Sequence, residues 1–235
     1  MTARGQKPKA PKAPPRVVAI DGPSGVGKST AARLLAERLR VPFLDTGAMY
    51  RAIGLKVLES GVDPLDRQAV EALSLTADVQ LVQRDPSAYE IVLDGRPVDA
   101  ELRTAEVGEA TSKIAAYPEV RKRLVAIQRE TAAASGGVLE GRDIGTKVVP
   151  ETPFKFFLDA RPDVRFRRRY EELRARGRDV GYDQVVDEIT SRDLRDSTRT
   201  ESPLTRDDSY IVIDSSDLPA EKVVARMVQE IERRG

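Results

Sequence analysis

The chain has 235 residues, with 39 Lys and Arg against 38 Asp and Glu, 40% hydrophobic and 33% charged residues, and neither cysteine nor histidine. That length buries a substantial core, as one large domain or one domain carrying an insertion, while zero cysteine excludes disulfides, thiolate metal sites and thiol nucleophiles. Zero histidine leaves carboxylates, Lys, Arg, hydroxyls, backbone and bound metal to carry any chemistry, and the lack of a bilayer-length apolar stretch or signal segment sets the expectation of a cytoplasmic protein with no membrane partner.

Residues 1–15 hold four prolines and the four cations Arg4, Lys7, Lys9 and Lys12 without an acid, and read as a solvated, disordered tail. The remaining body carries 35 basic and 38 acidic residues, a net −3, which argues against a nucleic-acid-binding surface.

The apolar run Val17 to Ile20 reads as a strand and Ala31 to Leu39 as a helix. Between them lie Gly22, Pro23, Ser24, Gly25, Val26, Gly27, Lys28, Ser29 and Thr30, which fill the pattern of a phosphate-binding loop in the strand–loop–helix context that the pattern requires. Glycines let successive amides turn inward on a polyphosphate, and the positive end of the following helix adds to the attraction. Lys28 is placed to reach the β- and γ-phosphates and Ser29 to ligate Mg²⁺, with ATP the implied co-substrate.

Val41-Pro42 ends the first helix, Phe43 to Asp45 reads as a second strand, and Thr46, by position an N-cap, opens a helix to about Ser60. Tyr50 and Arg51 fall in its first turns, where a loop at the carboxyl end of a parallel strand collects ligands. Asp63 to Ala77 reads as a helix. Asp78 to Val82, Tyr89 to Leu93 and a piece around Pro97-Val98 then read as a small antiparallel sheet, an insertion in a chain that otherwise alternates strand and helix.

Two helices, Thr104 to Ala116 and Pro118 to Ala134, break at Tyr117-Pro118 and end at Gly136-Gly137. The strand Val138-Leu139 feeds Glu140-Gly141-Arg142-Asp143-Ile144-Gly145-Thr146, a charged cluster wrapped in glycines, which is either a ligand site or a salt-bridged turn. Phe154 to Leu158 reads as a fourth core strand. Its successor helix carries Arg165, Arg167, Arg168, Arg169, Arg174, Arg176 and Arg178, as a solvated face or as a lid closing on phosphates. Tyr182 to Ser197 places Arg192, Arg195, Asp196 and Arg199 on one helix face. Tyr210 to Ile213 is the fifth strand and Pro219 to Arg234 a closing amphipathic helix.

Ile20 to Ser29, Leu44 to Arg51, Glu140 to Thr146 and Arg192 to Arg199 together resemble the corresponding motifs of bacterial cytidylate kinases, from about Arg16 to the C-terminus. The resemblance implies an α/β P-loop kinase core with a five-stranded parallel sheet flanked by helices, spanning 16–72 and 106–235. It adds a nucleotide-monophosphate module at 73–105 and a short helical lid at about 161–182. It implies transfer of a phosphoryl group from ATP to CMP or dCMP with Mg²⁺, by a monomer. Thr46, Arg51 and Arg142 would hold the acceptor phosphate, Ser112, Arg121, Asp143 and Arg199 the cytosine, and Arg192 with Asp196 the ribose, while Tyr50 lines the site. Lys28, Arg51 and Arg142 are the catalytic candidates. Glu140, where the family usually has Asp, is the candidate for an outer contact to the metal.

An acidic acceptor at Asp143 suits the exocyclic amine of cytosine and opposes the carbonyl of uracil. A phosphate acceptor is already largely dianionic at neutral pH and needs no general base, so the absence of histidine is no obstacle. An alcohol-phosphorylating kinase would want a carboxylate base instead, and a GTPase would carry guanine-reading and switch motifs that the chain lacks.

Overall fold

The computed structural model describes residues 17–85 and 88–234, so the basic tail read from the sequence lies outside the described residues. Strand β1 (Val17–Asp21) sends Val18 and Ile20 to one face and Ala19 to the other, and all three are fully buried. A strand covered on both faces loses its polar alternation, which is why this run is apolar throughout. Helix α1 (Lys28–Leu39) follows the glycine loop, and its Ala31, Ala32, Leu35 and Ala36 pack on the Val18 face together with Val223, Met227 and Ile231 of the last helix. Strand β2 (Phe43–Asp45) leads directly into α2 (Thr46–Glu59).

The cap of α2 is Asp45, not Thr46. The Asp45 carboxylate accepts from the Ala48 amide at 3.1 Å, and the Thr46 hydroxyl instead donates to the Glu140 carbonyl at 2.6 Å, tying the start of α2 to the neighbouring strand. Helix α3 (Arg67–Thr76) likewise begins later than the sequence suggests, because Asp63 forms a local turn on the Leu65 amide and Asp66 caps the helix through the Ala69 amide. Strands β3 (Val79–Asp85), β4 (Ala88–Leu93) and β5 (Arg96–Pro97) are antiparallel to one another. Helices α4 (Ala105–Ile114) and α5 (Pro118–Ser135) meet at Tyr117-Pro118, and Gly136 ends α5 with φ of 67°.

Beyond them come β6 (Gly137–Gly141), a π-helical turn at Ile144–Val148, β7 (Lys155–Asp159), α6 (Pro162–Ala175), α7 (Tyr182–Thr198), β8 (Ile211–Asp214) and α8 (Ala220–Arg234). Among the described residues the strands form one sheet in the order β3-β4-β2-β6-β1-β7-β8, with β5 on β4. The five strands β2, β6, β1, β7 and β8 are parallel, as expected. The antiparallel strands do not make a sheet of their own. They continue the parallel sheet, because β4 pairs with β2 at Ala88 and Phe43.

The strands added before β7 lie on one side of β1 and those from β7 onward on the other, so strand order switches at β1, and the carboxyl ends of the parallel strands β1, β6 and β2 open side by side into a crevice, where ligands of such sheets bind. Asp21, Glu140 and Asp45 occupy that level in adjacent strands.

Candidate active site

The loop after β1 is shaped for an anion. Gly22, Gly25 and Gly27 have φ of 148°, 80° and 87°, and a side chain at Gly22 would run into the Leu158 carbonyl oxygen. Lys28 is buried and donates to the Pro23 carbonyl at 2.6 Å. Burial pushes the Lys28 ammonium down to about 7; Arg142 and Arg192 push the same way, against Glu140 and Asp196. Lys28 of the glycine loop and Arg142 of the turn after β6 therefore share one electrostatic site. Val26 is buried and its carbonyl accepts from Ser215 at 2.9 Å, while Ser29 and Thr30 are exposed at the helix start.

Glu140 is buried, and its carboxyl is raised first by burial and then by repulsion from Asp45, while Lys28, a hydrogen bond with Ser29 and Arg142 oppose the shift. Among the described residues no group of three or more Asp or Glu side chains would hold a metal ion unaided.

A second cluster faces the loop. Arg142 donates through Nε to Asp196 Oδ2 at 2.8 Å, Arg192 Nε stands 4.0 Å from the same oxygen, and Arg199 Nη1 is 3.8 Å from Oδ1. Burial alone would raise the Asp196 carboxyl, but Arg142, Arg192 and Arg199 outweigh it and hold it below the usual range. Burial and the neighbouring Arg142 push Arg192 down to about 10, a mark of surplus positive charge. Arg51 reaches across from α2 to the Leu102 carbonyl at 3.1 Å, and burial lowers it as well.

Asp143 is buried and pairs with Arg121, whose guanidinium also lies 5.5 Å from the Tyr50 ring centroid. Burial pushes the Tyr50 phenol up to about 12. Arg199 Nη2 stands 4.0 Å from Asp143 Oδ1, is buried, and has no hydrogen-bond partner among the described residues.

The expected acceptor residues thus converge, with two qualifications. Ser112 sits at the outer mouth, accepting from Arg195 Nε at 2.9 Å, and lines a cavity of about 310 Å³ with Asp196 and Arg199. Arg195, expected on the same face as Arg192 and Asp196, lines that same cavity but is exposed, and it is the donor to Ser112.

The arginines of α6 have more partners than the sequence near them suggests. Arg165 pairs with Asp193 of α7 and donates to the Ser24 carbonyl at 3.1 Å; Arg168 binds the Ser215 carbonyl at 2.7 Å, and Arg174 binds Asp179. Arg168 and Arg169 line a second cavity, of about 410 Å³, with Gly25, Thr30, Leu218 and Pro219.

Four participants escaped the sequence reading. Asp193 accepts from the Ser24 amide at 3.3 Å, Asp45 caps α2 beside Glu140, Asp21 binds the turn after Asp143, and Tyr210 binds Asp21. A carboxylate ending an apolar strand, as Asp21 and Asp45 do, is the local sign of two of them.

The family model described as "Cytidylate kinase" matches residues 18–233. A protein named "Cytidylate kinase" from Pelotomaculum thermopropionicum is 46% identical over 214 residues, 91% of this chain and 95% of that protein. Proteins of the same name from Corynebacterium glutamicum and Pseudomonas aeruginosa are 45% identical over 217 residues (92% of this chain and 94% of that protein) and 43% identical over 220 (93% and 96%). An uncharacterised protein from Eubacterium ventriosum shares the fold, with a TM-score of 0.51 and 15% identity over 93% of this chain and 98% of that one. With the family model matching residues 18–233 and relatives 43–46% identical over more than nine-tenths of its length, the chain belongs to the cytidylate kinase family.

Proposed function

We propose that the chain transfers the γ-phosphoryl group of ATP to CMP or dCMP, giving ADP with CDP or dCDP. The carrying observation is the pair at the acceptor end of the crevice, a buried Asp143 oxygen beside the unpartnered Nη2 of Arg199. An acceptor and a donor offered together match the amine and the adjacent ring nitrogen of cytosine. Uracil would set a carbonyl against Asp143, at a cost on the order of 1 to 3 kcal/mol for the unpaired group.

Thr46, Arg51 and Arg142 would hold the acceptor phosphate, Arg192 and Asp196 the ribose, and Ser112, Arg121 and Tyr50 would frame the base. The amides of Gly22–Thr30 would cradle the donor phosphates, with the adenosine in the cavity beside Arg168 and Arg169. Lys28, Arg51 and Arg142 would offset repulsion between the two polyanions and hold them in line. The acceptor, with a second pKa of about 6, attacks as a dianion, so no side chain removes a proton. Ser29 and Glu140, both hard oxygen donors, would hold Mg²⁺, and a cation there relieves the repulsion that raises Glu140. When bound, the ion neutralises charge on the transferred group.

No helix among the described residues is long and apolar enough to cross a membrane, and an ATP-fed reaction fits a cytoplasmic setting. The test is ADP formation from ATP and Mg²⁺ with CMP, dCMP, UMP, AMP and shikimate. A preference for CMP and dCMP is expected, and no preference would overturn the reading.

A further inference from the structure

Tyr210, the residue before β8, is buried, and its phenol donates to Asp21 Oδ2 at 2.7 Å. Asp21 is fully buried at the end of β1, immediately before the phosphate loop. Its Oδ1 accepts from the Ile144 amide at 2.9 Å and its Oδ2 from the Gly145 amide at 2.9 Å. One carboxylate therefore joins the end of the donor loop to the turn that follows Arg142 and Asp143.

The phenol is packed against that turn as well as bonded through Asp21. A Cβ at Gly145 would lie 2.6 Å from Tyr210 Oη and 2.9 Å from Cζ, so the turn's backbone rests directly on the phenol, and only glycine fits. Phe157 holds the ring in place edge-on, with centroids 6.1 Å apart and planes at 84°. Burial raises the Asp21 carboxyl, and the Gly145 and Ile144 amides and Tyr210 oppose it; the phenol is itself raised by burial and by Asp21, so it remains a donor. None of these groups lines either of the two cavities described above.

We propose that Tyr210 is a positioning residue for the acceptor nucleotide, holding Asp21 on the Ile144–Gly145 amides so that Arg142 and Asp143 stay in register with the phosphate loop. The assignment rests on the phosphoryl-transfer reading given above. Donor binding depends on Gly22–Thr30 and α1, whose contacts do not pass through Tyr210, so the acceptor side alone should feel its loss.

The experiment is steady-state kinetics of wild type, Tyr210→Phe and Asp21→Asn with ATP, CMP and UMP, beside amide hydrogen exchange at Ile144 and Gly145 in the ligand-free proteins. Tyr210→Phe keeps the ring, so it is the deciding variant even if Asp21→Asn folds poorly. Loss of one hydrogen bond to a buried carboxylate should raise the KM for CMP about tenfold, narrow the preference for CMP over UMP, and leave the KM for ATP within about twofold. Exchange at both amides should quicken, and the double variant should be no worse than Asp21→Asn alone. An unchanged KM for CMP, or an equal rise in both KM values, overturns the proposal, because a purely structural role predicts one or the other. If the wild type itself ignores CMP, the functional reading falls instead. Exchange then decides whether Tyr210 holds the turn, and unchanged exchange overturns that too.

Discussion

At Lys28 the requirements of function and stability point in opposite directions. A buried ammonium pushed down to about 7 costs the ligand-free fold stability, because the unfolded chain keeps the proton up to the ordinary lysine value near 10.5. Between about pH 7 and 10 the unfolded state binds more protons, so this group's penalty is greatest below 7 and fades as pH rises. Lys28→Met is accordingly expected to raise the melting temperature of the ligand-free protein near neutral pH. The gap to wild type should close by pH 10, while transfer to CMP is abolished. Thermal melts across that range, with circular dichroism to confirm the fold, check it; a variant less stable than wild type at pH 7 would count against the buried charge. Asp143→Asn belongs to the same scale. It should cut the CMP-to-UMP ratio of kcat/KM by about tenfold or more, since each unpaired group is worth on the order of 1 to 3 kcal/mol. An unchanged ratio would make Asp143 purely a partner for Arg121.

Two helix caps of the same chemistry separate stability from function at the level of elements. Asp66 caps α3 on the surface and Asp45 caps α2 beside Glu140 and Thr46. Either change to Ala should cost roughly 1 kcal/mol in denaturant unfolding. Asp66→Ala should leave kinetics untouched. Asp45→Ala should also raise the KM for CMP, because the first turns of α2 carry Thr46, Tyr50 and Arg51. Equal kinetic effects of the two changes would break the link between that cap and the site. The α7 helix shows why element-level periodicity reaches only so far. Spacing puts Arg192, Asp196 and Arg199 together as expected, and Arg195 shares their cavity, but its bond to Ser112 of α4 is a partner that spacing within α7 does not reveal.

At the scale of the whole molecule, the inserted strands pack on helices of the flanking segments and not only on one another. A single cluster joins Met49, Ile53 and Val57 of α2 to Val79, Ile91, Leu93 and Val98 of the antiparallel segment and to Val120 and Leu124 of α5. Replacing residues 79–98 by a short Gly-Ser link would uncover that face of α2 and remove the outer strands from the sheet. The expected result is loss of the cooperative melting transition and of CMP turnover together. A truncated protein that melts cooperatively would show the segment to be a separable module.

The amino-acid sequence by itself determined the parts whose causes are local. The glycine loop between an apolar strand and a helix is one. The five core strands, with their apolar runs, are another, and the chemistry left open by 0 histidines and a crowd of arginines is a third. These follow from backbone preference, periodicity and residue type, which act over a few positions. Tertiary structure alone decided which charges meet. Asp21 lies 189 residues from Tyr210 and 123 from Ile144, and Ser24 lies 169 from Asp193. Likewise, the antiparallel strands extend the main sheet through the pairing of Phe43 with Ala88. No periodicity encodes such partners. They are chosen where strand ends gather and where burial leaves each carboxylate and guanidinium in need of whatever opposite charge or amide the fold brings within reach.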